Sequence, residues 1–372
     1  MKNRILVFGM TENPGGVESV IMNYYRNIDR TKIQFDFLCN TKNVAYEEEI
    51  KQLGGNIYHI TARSKNKKAY KNDMKDFFEK NSKNYNTIWV NVCSLANIDY
   101  LKYAKKYGIK YRIIHSHNSK NMDSKLREIL HKINRLYIKK YATDFWACGI
   151  EAGQWFYNKK ILNSNKYLNI NNAIEYEKFK FDDEVRKIYR KKFNIENKLA
   201  FGNVGRLHFQ KNQSFLIDIF YEIQKSKPDS ILLLVGQGED YEKLKEKVKK
   251  LNILNKVKFL GVRNDVNKIM QAMDVFIFPS VFEGLGLVLV EAQASNLLVY
   301  ASKDVIPKNV KINEDRFEFI SLSEKPIKWS NKIIEDLEKI NERDRNNYEK
   351  FKESGYDIIT ETEKIQNFFE RS

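Results

Sequence analysis

Glu283 and Glu291 stand eight positions apart in the segment Phe-Pro-Ser-Val-Phe-Glu-Gly-Leu-Gly-Leu-Val-Leu-Val-Glu, residues 278–291. The apolar run at 275–278 reads as a buried strand that stops at Pro279-Ser280. Glu283, Gly284 and Gly286 then fall in a loop, and the apolar stretch from Leu287 follows it. Glycines at the mouth of a helix let backbone N–H groups approach an anion, and the helix dipole favours negative charge there. Glu283 is placed before such a mouth. Glu291 is expected about two turns inside, too deep to act as a cap. A carboxylate among Val288, Leu289 and Val290 is costly to bury unless it is hydrogen-bonded, and ligand hydroxyls would do that. The pair, behind a strand and flanking a Gly-x-Gly, suggests a phosphate-bearing sugar ligand.

This stretch resembles the E-x(7)-E signature of family 4 glycosyltransferases, retaining enzymes of the GT-B fold. Three further blocks follow the family's order. Residues 200–207, with Gly205-Arg206, and then Lys211-Asn212 resemble the strand, Gly-Arg and Lys-Asn pair that open its C-terminal domain. Residues 232–235 followed by Gly236-Gln237-Gly238 resemble its V-G-x-G turn, and 257–261 with Asp265-Val266 its nucleobase-facing strand and loop. The N-terminal half matches more loosely. A short strand at 5–8, Gly9, and Pro14-Gly15-Gly16-Val17-Glu18 fit the family's Gly-Gly-x-Glu loop. They lack a full G-x-G-x-x-G. His117, in Arg112-Ile113-Ile114-His115-Ser116-His117-Asn118, resembles the family's cleft histidine, with His115 and Asn118 as the alternatives for that place.

The resemblance implies two doubly wound Rossmann-like domains facing a deep cleft, with each ligand at the carboxyl ends of the strands. It implies a sugar transfer from a nucleotide donor, UDP-linked by expectation, with no metal. The sequence has no Asp-x-Asp, so Arg206 and Lys211 would meet the charge of the departing diphosphate. N–H groups at 284–287, from Gly284 through Gly286 to Leu287, would help, as would Gly15-Gly16. In the same reading Glu291 holds the ribose hydroxyls, Glu283 contacts the donor sugar, and Gly236 lies at the nucleotide. The loop at 260–263, with Gly261 and Val262, makes backbone contacts to the base. His117 sits near the sugar and assists orientation or proton handling. The reaction would run on one face, with the donor's phosphate taking the acceptor proton and no protein nucleophile. Closure of the domains would exclude water.

The elements that must carry these residues agree. At 372 residues the chain exceeds the size of one core, and two domains of about 180 residues are expected. Short β-rich apolar runs such as 231–235 alternate with helical stretches such as 239–251, the pattern of buried parallel strands. The first domain is placed at 1–180, the second at 181–357, and residues 358–372 form a last helix crossing back to the first domain. Asn171-Asn172-Ala173-Ile174 resembles the family's Asn-Gly-Ile-Asp segment, with Ala for Gly and Glu175 for Asp. No apolar run approaches the ~18 residues of a spanning helix, and the one at 5–10 is too short for a signal peptide. Cys39, Cys93 and Cys148 are odd in number and far apart, which points to a reducing compartment.

The charge is uneven. Residues 1–180 hold 32 Lys and Arg against 17 Asp and Glu, and the remainder 33 against 31. The excess concentrates at 63–83 and 120–140. In the second segment Leu126, Ile129, Leu130, Ile133, Leu136 and Tyr137 recur at helical spacing among Lys125, Arg127, Lys132, Arg135, Lys139 and Lys140. Such a helix either lays its apolar face on the core or suits an anionic membrane surface, at about 1 kcal/mol per basic residue. The domain-wide charge favours the membrane. No helix-turn-helix, zinc-finger or RNA-platform pattern accompanies it, which argues against nucleic acid.

The expectation is a transferase that extends a lipid-linked glycan at the cytoplasmic face of the membrane. His115-Ser116-His117-Asn118 and Asp304-Val305-Ile306-Pro307 resemble the branch that builds capsular or exopolysaccharides. A nucleotide-sugar epimerase of the same fold, a dinucleotide-dependent oxidoreductase and an inactive family member acting as a binding partner are the rivals. The weak dinucleotide fingerprint argues against the second, and intact Arg206, Lys211, Glu283 and Glu291 against the third.

Overall fold

The computed structural model describes residues 2–118, 124–283, 285–303, 305–339 and 347–372. Gly284 and Asp304 lie outside the described residues. The chain forms two compact units, 1–173 together with 358–372, and 174–357. The division falls between Ala173 and Ile174 because Ile174 bridges to Asp357, and the Tyr176 hydroxyl donates to Asn347 at 2.7 Å, inside the second unit.

The first unit holds strands β1 (Asn3–Phe8), β2 (Ile33–Cys39), β3 (Ile57–His59), β4 (Thr87–Val92), β5 (Tyr111–Ser116), β6 (Asp144–Ala147) and β7 (Tyr167–Asn169). They form a parallel sheet in the order β3-β2-β1-β4-β5-β6-β7. Helix Gly16–Asn27 leaves the β1 turn and buries Val20, Ile21, Tyr24 and Tyr25. Helix Ile358–Arg371 packs on β1, β2 and Gly16–Asn27. Its Phe369 is wholly buried, edge-on to Phe35 and Trp89 at 5.8 and 6.0 Å. Burying such a ring stabilises by about 1.5–3 kcal/mol, so the helix is anchored by its last turn.

The second unit holds β8 (Leu199–Val204), β9 (Ser230–Val235), β10 (Val257–Gly261), β11 (Val275–Phe278), β12 (Leu298–Ser302) and β13 (Phe317–Ile320). They run parallel in the order β10-β9-β8-β11-β12-β13. All residues of β9, β11 and β12 are buried, as a strand covered on both faces requires. Helix Asp183–Phe193 is tied to this sheet by Asp274, which pairs with Arg186 at 2.5 Å and Arg190 at 3.2 Å.

Both sheets are doubly wound, and each reverses its strand order once, between β1 and β4 and between β8 and β11. Loops diverge there, and ligands of such sheets bind at that point. No helix among the described residues is long and apolar enough to cross a membrane. Cys39 and Cys148 are buried, Cys93 is exposed, and these three described residues form no disulfide.

Candidate active site

Parallel pairing of β8 with β11 puts the segments that follow them on one edge of the sheet. After β8 come Gly205, Arg206 and the short turn Phe209–Lys211. After β11 comes the 279–286 loop. Gln210 joins the two: its carbonyl accepts from the Val281 N–H at 2.7 Å, and its side chain donates to the Phe282 carbonyl at 2.9 Å. Lys211 is thereby delivered to Glu283, Nζ to Oε1 2.6 Å, and its ammonium also lies 4.9 Å above the Phe278 ring. Both side chains are mostly buried, 19% exposed for Lys211 and 7% for Glu283. The pair is largely removed from water, so each charge depends on the other for its compensation.

Helix Leu287–Ala294 starts from Gly286, whose φ of 77° is left-handed backbone suited to glycine. Gly286 has no side chain with which to cap the helix it opens. Since the helix begins only at Leu287, Glu291 lies about one turn inside, not the two expected from the apolar run. It is half-buried by surface, yet the surroundings are apolar enough that burial pushes its carboxyl up to about 7. Its carboxylate takes no hydrogen bond or ion pair from the described residues. A partly dry carboxylate without a partner is ready for hydroxyl donors.

Arg206 is not brought to the Lys211–Glu283 pair. It is 68% exposed and forks onto Glu239 at 3.1 and 3.3 Å, and Glu239 also meets His208 Nε2 at 3.2 Å. Glu239 and His208 were missed in the sequence, where nothing sets them apart from surface residues. Gly236 has a packing reason: a Cβ there would stand 2.0 Å from the Gly205 carbonyl oxygen. Its N–H donates to Gly261 at 2.8 Å, so the turns after β8, β9 and β10 are stacked backbone to backbone. Gly261 has φ 67°, and Val262 beyond it is 77% exposed.

In the first unit His117 follows β5 and is buried. Its Nε2 lies 2.9 Å from the Asn91 Oδ1, and the Asn91 amide nitrogen donates to the Phe8 carbonyl at 3.3 Å. With Asn91 so oriented, Nε2 carries the proton and Nδ1 is a lone-pair acceptor. Nδ1 is buried without a partner. Burial pushes the imidazole down to about 3, opposed by Asn172 nearby, although Asn172 Oδ1 and His117 Nδ1 do not meet in bonding geometry. His115 instead faces the core, 5.9 Å from the Trp89 ring, and burial holds it well below the usual range. Asn118 is buried beside them. Gly15 precedes Gly16–Asn27 without a side-chain cap, and Gly16 has open space around its Cα. Glu18 is buried and accepts from Thr11 Oγ1 at 2.5 Å. Gly16 and Glu18 line a cavity of about 870 Å³ at the ends of β1 and β4, with Phe8, Tyr100 and Arg63.

Residues 185–356 match the family model of glycosyl transferases group 1. Over 329 residues, 86% of this chain and 84% of the relative, the chain is 30% identical to the Bacillus subtilis protein designated glycosyltransferase EpsF. The chain belongs to the group 1 glycosyltransferases. A second relative of this glycosyltransferase, the Escherichia coli UDP-Gal:alpha-D-GlcNAc-diphosphoundecaprenol alpha-1,3-galactosyltransferase, is 34% identical over 132 residues, 34% of each chain. In fold, the glycosyltransferase is similar to Anabaena HepE, solved with UDP and glucose, at TM-score 0.79 and 19% identity over the whole of both chains. Its two parallel-sheet units are those of GT-B glycosyltransferases.

Proposed function

We propose that this glycosyltransferase moves a sugar, with retention and without a metal, from a UDP-linked donor to a lipid-linked glycan. It would work at the cytoplasmic face of the membrane, in cell-surface polysaccharide synthesis. The observation that carries the donor half is the Lys211–Glu283 pair at the β8/β11 reversal, with unpartnered Glu291 in the helix that Gly286 opens. On diphosphate binding, Lys211 and Arg206 face phosphate oxygens and the helix start adds N–H donors. Glu291 takes two ribose hydroxyls and Glu283 a sugar hydroxyl, and in the first unit the His117 Nδ1 is left to accept from a substrate hydroxyl. Gly261 and Val262 lie against the base. As the C1–O bond breaks, its electrons leave on UDP, whose negative charge Lys211 and Arg206 stabilise. The acceptor oxygen then bonds C1 on the same face and passes its proton to the departing phosphate. The UDP and diphosphoundecaprenol in the names of the two related proteins support the substrate classes.

Thermal denaturation with UDP, GDP, ADP and NADH, with and without EDTA, tests the donor half. A ligand of the native state adds about 2.7 kcal/mol at a hundredfold excess over its dissociation constant. UDP is expected to raise the midpoint in wild type, unaffected by EDTA, and not in Glu291→Ala. Stabilisation by NADH instead, or by no nucleotide, overturns the reading. The anomeric configuration of the product, read by NMR, tests retention.

A further inference from the structure

Helix Lys125–Tyr137 is amphipathic with its faces inverted relative to an ordinary surface helix. The side that meets the first unit is polar. His131 is buried, its Nδ1 accepting from the Leu95 N–H at 3.1 Å while Nε2 lies 3.2 Å from the Trp155 carbonyl. Asn134 donates to the Leu95 carbonyl at 2.6 Å, and Arg135 to the carbonyls of Gln154 and Tyr157 at 2.9 and 2.7 Å. The apolar side is bare. Leu126, Ile129, Ile133, Leu136 and Tyr137 are 66, 54, 47, 76 and 57% exposed. Other large apolar side chains exposed among the described residues are scattered along the chain, so this stripe stands out as a patch.

Cations frame the stripe. Lys125, Arg127, Lys132, Lys139 and Lys140 are all exposed. At its far end Lys105 donates to the Lys140 carbonyl at 2.8 Å, and Lys102, Lys105 and Lys140 surround the Tyr141 ring, each at 5.8 Å. At the near end, Leu126 of the stripe also lines the 870 Å³ cavity, together with Leu130. Stripe and cavity are therefore continuous.

We propose that this helix docks the protein on an anionic lipid bilayer, the apolar stripe lying at the headgroup–acyl boundary and the lysines against lipid phosphates. An apolar face with a cationic border, on a half of the chain with an excess of 15 positive charges, fits that partner by both chemistries. The cavity that begins at Leu126 then receives the polar head of an amphipathic acceptor whose chain stays in the bilayer. This last clause rests on the transferase reading. The docking does not.

The test is co-sedimentation of the full chain with phosphatidylglycerol-containing vesicles and with pure phosphatidylcholine vesicles, for wild type, Ile133→Ser/Leu136→Ser and Lys132→Gln/Lys139→Gln/Lys140→Gln. Unchanged thermal midpoints of the variants show that they fold. Wild type is expected to bind the anionic vesicles at least tenfold more tightly than the neutral ones, with each variant losing at least tenfold. Equal binding by all three proteins, or none by wild type, overturns the proposal. So does light scattering that finds wild type dimeric and the serine variant monomeric with no vesicle binding, which would make the stripe a contact between two copies. With a short-chain water-soluble acceptor, the serine variant should retain wild-type activity, and lose it on the vesicle-embedded acceptor. Vesicle binding without any transfer by wild type would remove the transferase reading and leave the docking in place.

Discussion

The Lys211 ammonium stands 2.6 Å from the Glu283 carboxylate although the two residues are 72 positions apart in the chain. Their loops leave neighbouring parallel strands at the point where the sheet reverses its strand order, and Gln210 staples one loop to the other. The pair is thus positioned by the protein's own contacts. An incoming diphosphate would share a cation already desolvated and oriented, rather than having to order a mobile lysine.

Removing one partner of this pair leaves the other buried without a counter-charge. Lys211→Met is expected to cost about 2 kcal/mol in urea denaturation, as is Glu283→Gln. The double variant should cost less than the two added together. In the transferase reading, Lys211→Met also lowers kcat by roughly a hundredfold. A fully additive cycle would show that the two groups do not act on each other.

Glu291 gives a pH dependence of stability opposite in sign to that of a salt-bridged carboxylate. Its folded-state value is about 7, above the ordinary 4.5, so between those limits the folded protein binds the proton more tightly than the unfolded chain. Its contribution to stability is therefore full at low pH and lost as pH rises through about 7. Glu291→Gln should match wild type near pH 4 and be the more stable of the two near pH 8. Because hydroxyl donors favour the ionised form, UDP affinity of wild type should rise across the same window and stay flat in Glu291→Gln. A wild-type affinity that is level from pH 5 to 8 would contradict the ribose role.

His117 behaves the other way. Burial lowers it from 6.5 to about 3, so the stability it contributes is present above 6.5 and is lost as pH falls through that interval. His115 acts in the same direction. His117→Asn should reduce the acid sensitivity without abolishing it. Asn91→Leu removes the acceptor that holds the proton on Nε2 and frees the ring to carry it on Nδ1. It is expected to reduce kcat about tenfold or more, by the tautomer rather than by unfolding. Unchanged turnover in Asn91→Leu would make the histidine purely structural.

Arg206 and Glu239 separate ligand binding from stability. An ion pair 68 and 49% exposed contributes little to folding, so Arg206→Ala and Glu239→Gln should each shift stability by less than about 1 kcal/mol. Arg206→Ala is nonetheless expected to weaken UDP binding about tenfold or more, measured by calorimetry. Glu239→Gln frees the guanidinium and should leave binding equal or tighter. Equal binding by Arg206→Ala would remove this residue from the diphosphate site.

The sequence by itself determined much of the local structure. Short apolar runs such as Val275–Phe278 are strands because their residues are β-rich and buried on both faces. Gly284 and Gly286 mark a loop after that strand, since glycine tolerates backbone that few other residues adopt. The type of fold followed from the alternation of such runs with helical stretches, and the glutamate and basic motifs pointed to a sugar nucleotide through their resemblance to a family. Tertiary structure decided the rest. Only the strand order β10-β9-β8-β11-β12-β13 brings Lys211 to Glu283 and leaves Arg206 with Glu239. The orientation of His117 depends on Asn91, a residue of β4 with no mark of its own. The helix start at Leu287, which sets the depth of Glu291, depends on where the preceding loop turns. Helix Lys125–Tyr137 is the clearest case: its periodicity gives an apolar face, but not whether that face is covered. That depends on which side finds hydrogen-bond partners in the rest of the unit, and here the polar side does. Spacing along one chain encodes which side chains share a face. What lies opposite that face is set by contacts between segments far apart in sequence.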